Sequence, residues 1–375
     1  MQRGLRRLDF ADDHRRRVSA APVRCRFHSD ARPDRVSRGL RRTLWFLTAA
    51  TVTSALMTGA AASRTASPGS PGGGGAGEVA IFYYPWYGTV AVDGNWAHWQ
   101  QNGNDPPVSI ASNWFPVRGV YSSSDVAVVR AQMREIASIG VQTVIVSWWG
   151  PESAEAARLP LVARAARAAR LRVALHVEPF AGRTPAALVP QLRAFASTGI
   201  TDAYIYDSTA SPDSEWKAAN GQLAGLRLFA NTGLPGKAEA GGFAGLYTYD
   251  VLIYNGRSFP RMCASARMHN LLCAPSVGPG YDAERATGDT RVQGRADGKT
   301  YDRMWRGAVR AAADVVTITS YNEWHEGTQI EPASAIGGPY LSYNGAYGLE
   351  GRAAERAYLE RTAAWVRTYR EKVGR

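Results

Sequence analysis

Thr317-Ile318-Thr319-Ser320-Tyr321-Asn322-Glu323-Trp324-His325-Glu326-Gly327-Thr328-Gln329-Ile330-Glu331-Pro332 is the stretch on which the reading of this chain turns. Val315, Val316 and Ile318 are β-branched and apolar, which predicts a strand. The run then breaks into polar and aromatic residues, with Glu323, His325, Glu326 and Glu331 crowded around Trp324. A solvated loop seldom wraps charges around a tryptophan directly after an apolar strand. Carboxylates just past the end of a buried strand have a fixed backbone beneath them, which is what acid–base chemistry needs. The stretch is therefore read as an active site carried on a strand end.

Seven apolar runs upstream repeat that design. Val79–Tyr84 ends in Pro85-Trp86-Tyr87-Gly88, Gln142–Val146 in Ser147-Trp148-Trp149-Gly150, and Arg172–Val177 in His176-Val177-Glu178-Pro179-Phe180. Ala203–Tyr206, Leu226–Ala230, Gly245–Tyr249 and Leu271–Val277 follow, the last leading into Gly278-Pro279-Gly280-Tyr281-Asp282. Helical stretches alternate with these runs. Ser124–Ile139 is one, with Ser124 as its N-cap and Asp125 in its first turn. Ser153–Arg170 is another by Ala/Arg propensity, and Arg352–Lys372 closes the chain as an amphipathic helix. A long loop carrying Trp96, His98, Trp99 and Trp114 separates the first strand from the first of these helices. Eight such units from residue 78 to 375 predict a single (β/α)8 barrel, the TIM-barrel form of the α/β class. A doubly wound open sheet is the alternative, but no Gly-rich phosphate turn follows the first strand. Polar and aromatic residues gather at the C-terminal strand ends, where barrel active sites lie, and the strand beginnings are bland by comparison.

The formal net charge of +12 suggests nucleic acid until it is located. Residues 1–64 hold 14 Arg and five Asp, so the remainder carries 30 basic against 27 acidic residues. The body therefore has no field that calls for a nucleic-acid partner. Residues 1–62 read as a basic leader and signal peptide: Arg38, Arg41 and Arg42, then an apolar stretch from Leu44 to Met57, then Gly59-Ala60-Ala61-Ala62-Ser63 as an Ala-x-Ala exit. An N-terminal membrane anchor over 44–62 is the alternative. Residues 63–77 are a Gly/Pro/Ser linker, and the folded domain is expected over 78–375. A secreted or extracytoplasmic protein follows, touching a membrane only through an uncleaved leader. Cys263 and Cys273 can bridge in such a compartment, but pairing geometry is not legible in sequence.

Glu323 and Glu326 form the candidate catalytic pair, three residues apart with different neighbours to separate their pKa values. Two carboxylates in acid and base roles are the equipment for breaking a glycosidic bond. Trp86, Tyr87, Trp148, Trp149, Tyr247, Tyr249 and Tyr281 stand at strand ends and suit a carbohydrate cleft, since flat rings pack on sugar faces. Tyr84, His176, Glu178, Asp282, Asn322 and His325 complete the expected substrate-contacting set. Glu331, beside Pro332, reads as a structural anchor. His176 and Glu178 share a strand face and raise a metal alternative, but no His-Glu-x-x-His helix or further ligand set accompanies them. No metal and no cofactor are expected. A Gly-x-Ser-x-Gly elbow is also absent.

Taken together, Ser320-Tyr321-Asn322-Glu323-Trp324-His325-Glu326-Gly327-Thr328-Gln329-Ile330-Glu331, Tyr84-Pro85-Trp86-Tyr87-Gly88, Val146-Ser147-Trp148-Trp149-Gly150, His176-Val177-Glu178-Pro179 and Tyr247-Thr248-Tyr249 resemble the motifs of glycoside hydrolase family 99. That family comprises endo-α-mannosidases and endo-α-mannanases. The resemblance runs in the family's order over about residues 79–345 and implies a (β/α)8 barrel that retains anomeric configuration without metal chemistry. It implies substrate assistance in place of an enzyme nucleophile: the sugar's 2-hydroxyl attacks C1 and forms a 1,2-anhydro sugar that water opens. Glu323 would then deprotonate O2, and Glu326 would protonate the leaving oxygen and later activate water. Phe180, Ala244 and Ala283-Glu284-Arg285-Ala286 depart from the family pattern, and these departures bear on subsites. The implied partner is an α-linked oligo- or polysaccharide acted on by a monomer. Alternatives are a hydrolase of a different cell-wall polysaccharide, or a non-catalytic glycan-binding protein on the same barrel, for which loss of one carboxylate would be the mark.

Overall fold

The computed structural model describes residues 77–335 and 338–374. The expected leader, its expected cleavage site and all of the expected linker before Gly77 lie outside the described residues. Glu78–Tyr83 (β1), Thr143–Trp148 (β2), Arg172–Val177 (β3), Asp202–Ile205 (β4), Arg227–Asn231 (β5) and Gly245–Tyr247 (β6) pair in sequence order, all parallel. The next strand, β7, comes in two pieces, Leu272–Ala274 and Ser276–Val277, on either side of Pro275. Its first piece pairs with β6 and its second with Val315–Ile318 (β8), which pairs in turn with β1. Pro275 interrupts the ladder because it has no N–H to give, yet its carbonyl accepts the Thr317 N–H at 3.1 Å. The sheet thus closes on itself as an eight-stranded barrel with helices outside, and closure removes the exposed edges of an open sheet.

Side-chain alternation divides the strands between two apolar environments. Ala80, Phe82, Ile145, Ala174, Tyr204, Phe229, Tyr247, Ala274 and Val315 fill the barrel. Val79, Ile81, Tyr83, Val144 and Val146 pack outward in the strand–helix layer. Full burial of such a side chain contributes about 1.5–3 kcal/mol. Phe82 occupies the barrel's upper axis, its ring centroid 4.6 Å from that of His176, 5.1 Å from Tyr249 and 5.8 Å from Tyr247. It is the floor on which the site rests.

Two local expectations are corrected. The first long helix, Val126–Ser138, is capped by Asp125, whose carboxylate accepts the N–H groups of Ala127 and Val128, while Ser124 binds Asp93 instead. Strand beginnings are not bland: Glu78 pairs with Arg172, and Asp202 holds Arg227 through two hydrogen bonds of 2.7 and 2.5 Å. These pairs seal the lower mouth of the barrel, where inward-pointing polar groups need partners. Cys263, on the helix Phe259–Met268, is disulfide-bonded to Cys273 of β7, with Cα atoms 5.2 Å apart. Among the described residues no helix is long and apolar enough to cross a membrane.

Candidate active site

Past Ile318 the chain makes a tight polar turn that binds itself. Ser320 Oγ accepts the Glu323 N–H at 2.8 Å, and Glu323 Oε1 accepts the N–H groups of His325 and Glu326 at 3.0 and 3.3 Å. The chain then returns, with the Ile330 N–H on Ser320 O at 2.9 Å. Neighbouring strands fix the turn in space. Tyr321 donates its N–H to Phe82 O, and Asn322 exchanges two hydrogen bonds with the Tyr84 backbone at 2.8 and 3.0 Å. Below it Glu331 is fully buried and accepts from Arg118, Tyr121, Gln132 and Trp324 at 2.6–2.9 Å. Glu331 is thus the anchor its position beside Pro332 suggested, with every donor around it satisfied by one carboxylate.

The two remaining acids face a cavity of about 360 Å3 at the C-terminal end of the barrel, within the size range of ligand clefts. Burial, and next the charge of Glu326, push the Glu323 carboxyl well above the usual range, while two backbone N–H groups pull the other way. Burial pushes Glu326 up to about 8, against a hydrogen bond from Tyr249 and with the charges of Asp250 and Glu178 adding to the rise. Tyr249 donates to Glu326 Oε2 at 3.2 Å and lies 2.5 Å from the Tyr84 hydroxyl, so the acid ends a chain of two phenols. Burial raises both phenols, which therefore remain protonated donors. His325 donates its Nε2–H to His98 O at 2.7 Å, leaving Nδ1 3.9 Å from Glu323 Oε1. Burial lowers His325 to about 4; burial, and then the neighbouring His325, lower His98 to about 3. Both rings are neutral near pH 7, and with Trp86 they form a near-parallel cluster, 4.5 Å between Trp86 and His98.

Of the sequence-predicted residues, Tyr84, Trp86, Trp149, His176, Glu178, Tyr249, Glu323, His325 and Glu326 line this cavity. Glu178 Oε1 accepts from Ser147 at 2.9 Å and lies 2.8 Å from His176 Nδ1, off the line of a straight hydrogen bond; His176 Nε2 meets the Tyr247 hydroxyl at 2.9 Å. Six predicted residues lie elsewhere. Trp148 alternates outward from its neighbour and packs edge-on against Phe180 and Phe195. Tyr87 and Tyr247 are fully buried beneath the site, Tyr87 donating to Asn322 O and accepting the Trp324 N–H. Asn322 spends its amide on the Tyr84 backbone. Tyr281 donates to Asp289, and Asp282 gives its N–H to Glu326 O at 2.7 Å while accepting from Asn113. His98, Gln101, Pro179, Tyr206 and Thr287 also line the cavity. Tyr206 was within reach, two residues beyond the inward Tyr204 in the same alternation. His98 arrives on a loop, and Gln101 and Thr287 on the short turns Gln101–Gly103 and Glu284–Thr287, all too brief to show periodicity. Among the described residues no group of three or more His, Cys, Asp or Glu side chains is arranged to hold a metal ion.

Residues 76–371 match the sequence pattern of glycosyl hydrolase family 99. A glycoprotein endo-alpha-1,2-mannosidase-like protein of Danio rerio is 30% identical over 329 residues, 71% of this chain and 74% of that one. A glycoprotein endo-alpha-1,2-mannosidase of Xenopus laevis is 29% identical over 78% of this chain and 77% of its own length. The crystal structure of the family 99 endo-alpha-mannosidase from Bacteroides thetaiotaomicron superposes with a TM-score of 0.69 at 31% identity, covering 79% of this chain and 98% of that one.

Proposed function

The chain belongs to glycosyl hydrolase family 99, and from that premise we propose that it cleaves α-mannosidic bonds within glycans, with retention, through the substrate's own 2-hydroxyl. The observation that carries this reading is the unequal setting of two buried carboxyls on one turn. Like charges crowded into one dry cavity share a proton. Glu323 has two backbone N–H donors, which favour its anion, whereas Glu326 has a single phenol. On these donors we assign the charge to Glu323 and the proton to Glu326, the states that a base and an acid require, although burial and the charge of Glu326 raise the Glu323 carboxyl too.

In the first step Glu323 takes the O2 proton, O2 bonds to C1, the C1–leaving-oxygen bond breaks, and Glu326 protonates the departing oxygen. In the second, Glu326 takes a proton from water, the water oxygen bonds to C1, the C1–O2 bond breaks, and Glu323 returns the proton to O2. Two inversions at C1 give net retention. In α-mannosides O2 and the leaving group are trans and axial, so the internal attack has the required alignment. Incubation of the purified protein with a panel of α-mannans, followed by NMR of the first-formed anomer, tests the reading. Internal cleavage with an α-anomeric product supports it; a β-anomer, or turnover only of other α-glycans, overturns the mechanism or the substrate class respectively.

We also propose export, supported by the leader's composition and by the Cys263–Cys273 disulfide, since cytosolic thiols are kept reduced. Its test is N-terminal sequencing of secreted material, which should begin between Ser63 and Glu78. An intact apolar run recovered with membranes would favour the anchor.

A further inference from the structure

We infer that Arg295 is a positioning residue for the general acid: it holds the backbone that follows Glu326 and so fixes where that carboxyl points. This rests on the assignment of Glu326 made above. Arg295 lies behind the catalytic turn, only 9% exposed. Its Nη2 donates to Gly327 O at 2.9 Å and to Gln329 O at 2.7 Å. The guanidinium carbon lies 4.8, 4.7 and 4.6 Å from the ring centroids of Trp114, Tyr343 and Tyr358. Nε and Nη1 are buried without an acceptor, and among the described residues Arg295 has no carboxylate partner.

A buried cation without a counter-ion is costly. Tying down a carbonyl does not need one, as the Tyr343 hydroxyl shows by donating to Gln329 O at 3.1 Å. What the planar guanidinium adds is direction. One nitrogen binds two carbonyls while three rings hold its plane, a geometry that a flexible ammonium does not reproduce.

Everything around Gly327 leaves it one placement. Its φ is +63°, and a Cβ there would stand 2.4 Å from Trp114 Cζ3 and 2.9 Å from Asp282 O. Asp282 N–H also takes the Glu326 carbonyl. The carbonyls of residues 326, 327 and 329 are thus all bound from the segment 282–295. Glu323 hangs mainly from Ser320 Oγ and the His325 N–H, and touches the segment held by Arg295 only through the longer Glu326 N–H bond of 3.3 Å and the Ser320–Thr328 pair. Loss of Arg295 should therefore disturb the acid more than the base.

That asymmetry gives a readout that a general loss of packing does not. R295M and R295K are compared with E326Q on an α-mannan and on α-mannobiosyl fluoride, whose leaving group needs no proton. Acid assistance is typically worth about 10²–10⁴-fold, and a misplaced acid forfeits part of it. R295M is expected to lose on the order of 10–100-fold in kcat on mannan and less than about threefold on the fluoride. R295K should fall between it and the parent. In both variants the alkaline limb of the mannan pH profile should move, while KM for the fluoride stays near its parent value. Equal losses on both substrates overturn the inference, as does no loss on either. Failure of both variants to fold also overturns it, since Arg295 would then serve stability. If E326Q itself shows no difference between the substrates, the acid assignment has failed, and that result is distinct from an Arg295 variant behaving unlike E326Q.

Discussion

Glu326→Gln should make the protein more stable, and by an amount that grows with pH. The Glu326 carboxyl is held at about 8, against an ordinary value of 4.5. A group that binds its proton more tightly when folded stabilises fully below the lower value, and that stability drains away as pH climbs toward the upper one. At pH 7 the unfolded chain has released this proton and the folded protein still holds it. The difference is then roughly 2.5 pH units at about 1.4 kcal/mol each, or about 3.5 kcal/mol. Glutamine never ionises, keeps the shape, and can still accept the Tyr249 hydrogen bond. Above pH 8 it also spares Glu323 a neighbouring charge. The stability gap between variant and parent should be near zero at pH 4.5, about 3.5 kcal/mol at pH 7, and largest above pH 8. Urea unfolding of both proteins across that range, compared at equal m, measures it. A gap that stays flat with pH, or a parent more stable than the variant at pH 8, would refute the idea that burial holds this carboxyl neutral. A variant that gains stability as it loses turnover is what a site built against its own stability should produce.

The same electrostatics set the rate profile: activity should fall as pH rises through about 8, where Glu326 loses the proton it must donate, and pH-dependent kcat measurements show the limb. E326Q should be severe on natural glycans and mild on aryl or fluoride leaving groups, whereas E323Q should be severe on both, since O2 must be activated whatever departs. A 2-deoxy substrate should then fail with any leaving group, while azide restoring E323Q as a glycosyl azide would point to exchanged roles. E331A should cost roughly 3–5 kcal/mol of stability by leaving Arg118, Tyr121, Gln132 and Trp324 without their common acceptor, seen as a lower urea midpoint. Chelator treatment should leave turnover unchanged, and restoration by zinc or calcium after a loss would bring His176 and Glu178 back as ligands.

How far the sequence could be read depended on whether backbone periodicity governed the residue. The barrel was legible because eight apolar runs each ended in polar or aromatic residues, and those ends had to converge. Trp86, Trp149, Glu178 and Tyr249 reached the cavity by that logic. Trp148 was placed with them by its type, but the alternation that sends Ser147 and Trp149 inward sends Trp148 out against Phe195. Asn322 is among the expected sugar contacts, yet the backbone of Tyr84, just past β1, takes both its amide atoms. Backbone needs of this kind are long-range and leave no local mark. Phe180, just past the end of β3, lies against Trp148 and is not part of the cavity lining.

Loop residues failed for a different reason. His98 and Gln101 belong to a segment whose Asn102 and Asn104 side chains bind Arg285 O, and this brings them beside the segment that carries Thr287. Neither segment has a period, and the pair meets only through contacts spanning more than 180 residues. Asn104 Oδ1 also lies 3.4 Å from Arg285 Nε. The chemistry of the site therefore sits on strand ends that pattern can find, while part of its outer lining sits on segments that only long-range contacts bring together. Changes such as Asn104→Ala should accordingly alter which glycans are accepted and leave the leaving-group behaviour of Glu326 intact, because no hydrogen bond of the catalytic turn passes through Asn104. Comparing the product pattern of such a variant on long and short mannans with its rate on an activated fluoride separates the two. A loss of similar size on mannan and on the fluoride would place Asn104 in the catalytic machinery after all.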